Sequence, residues 1–138
     1  MGNRAVITVG RDDNNLGIYV HWNGGPESVL AFLETAKARG YRCPKSDETY
    51  GMARLVGVIH EFFGVDSSTS LGIGTLKTLD CDNYDNGVYV VGRNWAITDR
   101  WGKGHDATKT VEQLSNGQKE RYNAIVNDLQ LSYKKNSG

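Results

Sequence analysis

The sequence predicts an α+β fold built on an antiparallel sheet, and three observations point there. Two β-prone runs stand near the N-terminus, two segments with helical apolar periodicity follow, and a second group of β-prone runs precedes a final amphipathic segment. The order ββααβββα groups strands and helices instead of alternating them, which separates it from parallel α/β folds. The chain has 138 residues, and a chain of about 150 residues buries roughly two-thirds of its unfolded surface, so one domain with a real core is expected.

Ala5 to Val9 (AVITV) reads as a short strand, Arg11-Asp12-Asp13-Asn14-Asn15 as a polar turn, and Gly17 to Trp22 as a second strand completing an N-terminal hairpin. The first helix is expected from Pro26 to Arg39, with Val29, Leu30, Leu33 and Ala36 as its apolar stripe and Gly40 as its stop. After the loop Tyr41 to Ser46, Met52, Leu55, Val56, Ile59 and Phe63 recur at helical spacing from Asp47 to Phe63, and Gly64 ends that run. Gly51 and Gly57 lie inside it, where each costs about 1 kcal/mol relative to Ala. Close approach of another backbone or of a ligand is expected at both.

Ser70 to Trp101 reads as a β-meander: a strand from Leu71 to Leu79, the turn Tyr84-Asp85-Asn86-Gly87, a strand Val88 to Val91, then Gly92-Arg93-Asn94 turning into Trp95 to Trp101. Gly102 to Asp106 is a connector. The last helix spans Val111 to Tyr133, within about residues 110–135, with Asn116-Gly117 delaying or kinking its start. Its stripe of Tyr122, Ile125, Val126 and Leu129, at the end of a small domain, predicts a homodimer or larger assembly with this helix at the interface; the same stripe also suits packing on the chain's own sheet.

Lys and Arg number 16, as do Asp and Glu, so the net charge is zero. Sequence-independent binding of DNA or RNA draws on a cationic surplus that this chain lacks, which speaks against direct nucleic-acid binding. No apolar run approaches the ~18 residues of a membrane span, and the N-terminus has no signal-peptide core, so the expectation is a soluble, cytoplasmic protein without a membrane partner. Cys43 and Cys81 fit no metal or redox spacing and are expected to be free thiols. Asp80 to Gly87 is rich in Asp and Asn but fails the EF-hand spacing, and His60-Glu61 has no second His to make a zinc protease motif. No metal and no cofactor are expected. No Ser lies in a nucleophile elbow and neither Cys has a base beside it in sequence, so the expectation is a protein that is not an enzyme.

Candidate ligand-binding residues fall in three places. In Trp22-Asn23-Gly24-Gly25, before the Pro26 helix, a stacking ring, an amide and backbone donors meet at a positive helix end, which is chemistry for an anion or a planar polar ligand. A tight strand-to-helix turn with Trp22 filling the core explains the same residues. Tyr50 and Arg54, four apart, share one face of the second helix, where Tyr50 suits stacking and Arg54 suits phosphate or carboxylate. A surface pair, or pairing with Glu61, is the plainer account. Asn86 offers both donor and acceptor to a base edge or a ribose, or else serves its turn. Tyr89, Trp95 and Trp101 are core residues first, although a pocket floored by them would have Arg93, Asn94 and Arg100 at its rim.

The segments GNRAVIT, IYVHWNGG, the Tyr50 to Gly64 helix ending in FFG, and LDCDNYDNGVYVV, within about the first 100 residues, resemble small proteins carried on bacteriophages, plasmids and conjugative elements of Gram-positive bacteria. That resemblance implies genomic context and no catalytic residue. Compact proteins of such elements counter host immunity in two ways, by sequestering nucleotide immune signals or by binding a defence protein. The expected function is accordingly capture of a small anionic, nucleotide-derived ligand of the cyclic dinucleotide or cyclic ADP-ribose kind by Trp22, Asn23, Gly24, Gly25, Tyr50, Arg54 and Asn86. The alternatives are an inhibitor docked on a host defence complex, as anti-CRISPR proteins are, and a small nucleotide-modifying hydrolase.

Overall fold

Strand β1 (Ala5–Thr8) is buried at every position, the signature of a central strand. The structure, a computed structural model, describes residues 2–64 and 70–137, without the side chains of 136 and 137. In it β1 pairs antiparallel with β2 (Leu16–Val20) and parallel with β4 (Val88–Val91). Strand β3 (Leu71–Thr75) extends the sheet beyond β2, and β5 (Ile97–Trp101) extends it beyond β4, giving the order β3-β2-β1-β4-β5. The N-terminal hairpin and the β4–β5 hairpin follow the sequence expectation. The fold is α+β, mostly antiparallel, with one parallel pair.

The place of β3 departs from a simple meander, because β3 and β4 lie on opposite sides of the β1–β2 pair. The reason lies in the turn before β4. A two-residue hairpin turn of the Asn-Gly type needs positive φ at both central residues. Here Gly87 has φ 67° and Asn86 is not among the positive-φ residues, whereas Tyr84 is. Asn83, 1% exposed, organises the loop instead. Its Oδ1 accepts the N–H groups of Asp85, Asn86 and Gly87, and its Nδ2 donates to the carbonyls of Asp80 and Gly87. The expected strand to Leu79 ends at Thr75 in a 3-10 turn, Leu76–Thr78, from which the chain crosses the sheet face.

Period-2 alternation sorts the strands into two faces. Ala5, Ile7, Ile18, Val20, Tyr89, Val91 and Ile97 join the three helices in the main core. Val6 and Val88 point the other way, where Leu76, Leu79, Tyr19 and Trp101 cover them. Helix α1 (Pro26–Ala38) starts at Pro26 and gives way at Gly40, whose φ is 78°. Helix α2 (Glu48–Phe63) is N-capped by Asp47, which accepts the Tyr50 N–H. Gly51 meets the close approach that its position suggested: a Cβ there would collide with the Pro44 backbone. Gly57 faces open space, so only the first of the two glycines is explained by packing.

Helix α3 (Asn116–Ser137) begins where Ser115 and Gln118 cap each other, Gln118 N–H to Ser115 Oγ at 3.2 Å and Ser115 N–H to Gln118 Oε1 at 2.9 Å. Val111–Gln113 is a separate 3-10 turn, so the helix starts later than its apolar pattern suggests. The Tyr122, Ile125, Val126, Leu129 stripe packs within the chain, chiefly on α1 and also on α2, with Leu129 2% exposed. That removes the motive for an interface built on those four residues. Arg39 ties the three helices together: its guanidinium forks onto Glu61 at 3.0 and 2.8 Å and reaches the Leu129 carbonyl at 3.0 Å. No helix among the described residues is long and apolar enough to cross a membrane.

Candidate functional site

The stretch from Trp22 to Ser28 turns sharply because Asn23 takes a left-handed conformation, φ 60°. Trp22 is 41% exposed and stands T-shaped to His21 at 5.4 Å, so it does not fill the core. Asn23 donates its amide to Ser28 Oγ at 3.2 Å. Gly24 is a packing residue: its N–H donates to the Asn3 carbonyl at 2.8 Å, its own carbonyl accepts the Tyr89 hydroxyl at 2.7 Å, and a Cβ would strike Ala5. Gly25, also buried, precedes the first turn of α1, which carries its own carboxylate, Glu27, bonded by Arg121 Nε at 3.1 Å. The positive helix end is thereby supplied with an internal anion. Trp22 and Asn23 line a cleft of about 700 Å³ with Phe62 from the end of α2 and Arg121, Ile125 and Asp128 from α3.

Tyr50 and Arg54 stand near the opposite end of α2. Tyr50 and Phe62 are twelve residues apart, about 18 Å along the axis at 1.5 Å per residue. The residues expected to share one ligand therefore divide between two places. Asn86 belongs to neither cleft. It is 8% exposed, and its amide donates to Asn3 Oδ1 at 2.6 Å and to the Arg4 carbonyl at 2.9 Å, stapling the Asn83 loop to the start of β1.

Around Tyr50 and Arg54 the structure assembles a basic edge. The Arg42 guanidinium lies 3.9 Å from the centre of the Tyr50 ring, and the Arg54 guanidinium lies 4.7 Å from Tyr41 and 5.3 Å from Tyr50. A hydrogen bond with Tyr50 raises the Arg54 pKa, so this guanidinium stays charged. Stacking fixes both planar groups on phenol rings at the surface. The two nearby carboxylates are engaged: Asp47 caps α2 and meets Arg42 at 3.3 Å, and Glu48 accepts the Leu16 N–H at 2.6 Å.

Beside this ladder opens a cavity of about 330 Å³ lined by Lys37, Tyr41, Arg42, Cys43, Ser46 and the Asn94–Trp95 turn. Asn94 and Trp95 both take left-handed φ, 58° and 63°. A bulky residue there stores about 1–3 kcal/mol of strain, held here by burial of the ring and by the Trp95 Nε1 bond to the Tyr41 carbonyl at 2.8 Å. Burial pushes the Cys43 thiol up, but the Ser46 hydroxyl and backbone N–H groups of Ser46, Asn94 and Trp95 outweigh it and leave the pKa below its ordinary value. Cys81 is the reverse: burial, then Asp82, Asp80 and Asp13, hold its pKa up. Both thiols are free.

Arg100 supplies no charge to a pocket rim. Its side chain is fully buried, bonded to Asp106 at 2.7 Å and to the carbonyls of Thr108 and Asn86, and it lies 4.1 Å from the Tyr89 ring centre. Burial in turn pushes the Tyr89 hydroxyl far above its ordinary pKa. Sequence reasoning missed Tyr41, Arg42 and Arg121. The alternation Tyr41-Arg42 just ahead of a capped helix carrying Tyr50 and Arg54 was an available signal. Comparison with protein-family models, with curated proteins and with solved structures finds no match.

Proposed function

We propose that this is a non-catalytic binding protein that captures a small, phosphate-bearing, nucleotide-derived ligand at the Tyr41–Arg42–Tyr50–Arg54 edge. The observation that carries the reading is the stacked ladder itself, two guanidinium groups set on phenol rings beside a cavity of about 330 Å³. That volume is at the small end of the range for ligand pockets, roughly 300–1,000 Å³. Arg42 keeps one N–H on Asp47 and Arg54 bonds Tyr50, but a guanidinium has five N–H donors, so each retains donors for phosphate oxygens and an outer face for a base. Lys37 adds charge at the cavity wall. Concentrating cations here, in a chain with no net charge, favours an anion at this edge in particular.

The cavity contains a cradled sulfur, with hydroxyl and N–H neighbours and, among the described residues, no imidazole or carboxylate bonded to it. That chemistry suits holding better than turning over. The resemblance to proteins of phages and mobile elements gives the reading its biological form, sequestration of a cyclic nucleotide immune signal.

Titration calorimetry with a cyclic dinucleotide and with cyclic ADP-ribose tests this. Arg54→Ala should weaken binding about 10- to 100-fold, the loss of one charge-assisted pair, with an unchanged melting temperature because Arg54 is exposed. Heating the complex should return the ligand intact. Recovery of a cleaved product would make the protein an enzyme, and no binding of either ligand would leave the protein-inhibitor reading ahead.

A further inference from the structure

We infer that the Trp22 cleft is a second binding site, for a guanidinium group on an alkyl chain, the chemistry shared by agmatine and by an arginine side chain. The cleft has the opposite electrostatic character to the basic edge. Its charged lining residues are Glu27, Asp128 and Arg121, two carboxylates against one cation. Asp128 makes no hydrogen bond or ion pair with any described residue, whereas Glu27 is held by Arg121.

Arg121 shows what the cleft accepts. Its Nε donates to Glu27 Oε2 at 3.1 Å while its side chain remains 61% exposed, against 13% for Glu27. The carboxylate is therefore sunk in the wall, and the guanidinium over it is a loosely held internal occupant that an incoming guanidinium can replace. A flat, weakly hydrated cation also suits the remaining walls. The exposed Trp22 indole offers a π face, and Phe62 and Ile125 offer apolar surface to an alkyl chain. Ala124, between Arg121 and Asp128 on the same face of α3, keeps the floor open. The cleft of about 700 Å³ has room for such a ligand without movement of the helices.

The test follows the Trp22 indole N–H by nitrogen-15 NMR, assigned through its disappearance in Trp22→Phe. The probes are agmatine, for a free alkylguanidinium with a terminal ammonium, and N-acetyl-arginine methylamide, for an arginine side chain on a peptide backbone. A saturable shift confined to Trp22, with a midpoint on the order of millimolar, is expected. A response to both probes identifies the guanidinium itself as the recognised group and supports the site, whereas a response to agmatine alone would assign recognition to its terminal ammonium and overturn the inference. Asp128→Asn and Glu27→Gln should each raise the midpoint several-fold, and the exposed Asp128 keeps one of these variants free of folding effects. Arg121→Ala should lower the midpoint, because it removes the internal competitor. Arg54→Ala should leave it unchanged, which separates this site from the basic edge. No saturable shift up to about 100 mM, a weaker site in Arg121→Ala, or an equal response to uncharged butanol would each overturn the inference.

Discussion

Asn86→Ala separates a ligand contact from a structural staple at a residue that sequence and structure read differently. The side chain makes two hydrogen bonds, to Asn3 Oδ1 at 2.6 Å and to the Arg4 carbonyl at 2.9 Å, from a residue 8% exposed. Each contributes about 1 kcal/mol net. The Arg4 carbonyl keeps the Asn86 backbone N–H at 3.1 Å, and Asn3 is exposed, so neither acceptor is left stranded. The small void left by the carboxamide adds to the loss, for a total of about 2–3 kcal/mol. For a chain of this length that corresponds to a fall in Tm of about 6–12 °C. Scanning calorimetry measures it, alongside nucleotide binding at a temperature where the variant is folded. The expected result is a lower Tm with binding retained. An unchanged Tm with binding lost would refute the argument and restore Asn86 to the site.

Gly51→Ala should cost roughly 1–3 kcal/mol in urea denaturation, because its methyl group meets the Pro44 backbone, whereas Gly57→Ala, in open space on the same helix, should gain up to about 1 kcal/mol. The hydrogen bond from Arg39 holds the Glu61 pKa below the ordinary carboxylate value, so its stabilisation is complete above about pH 4.3 and is lost as pH falls through the lowered folded value; Glu61→Gln should lower stability at neutral pH and flatten this acid slope, read by denaturation at a series of pH values. Alkylation followed by mass spectrometry should give Cys43 a rate profile with its midpoint at lower pH than that of Cys81. Coincident or reversed midpoints would contradict the N–H cradle around Cys43.

Local signals carried most of the fold. Pro26 and Gly40 bracket α1, Asp47 caps α2, and the strand runs stand close to their expected places. Strand order was illegible because it depends on Asn83, whose side chain replaces a hairpin turn with a loop that no dipeptide rule describes. The candidate site was half legible for a similar reason. The spacing of Tyr50 and Arg54 fixes a shared helical face, but which loop leans on that face is a tertiary fact, so Tyr41 and Arg42 went unseen. Gly24 and Gly25 looked like bare donors because sequence does not show that Asn3 lies against Gly24 or that Glu27 turns back over the helix end.

The parallel pairing of β1 with β4 has a consequence for how the chain is made. The strand at the middle of the sheet is synthesised first, and its partner on one side, Val88–Val91, emerges some eighty residues later. Throughout that interval one edge of Ala5–Thr8 has no strand to pair with, although all four of its residues are buried in the finished fold. Helices α1 and α2 are complete before that edge is closed, so long-range closure comes late and loop entropy has to be overcome across most of the molecule. On the nascent chain, that apolar edge is the surface most open to mispairing with a neighbour.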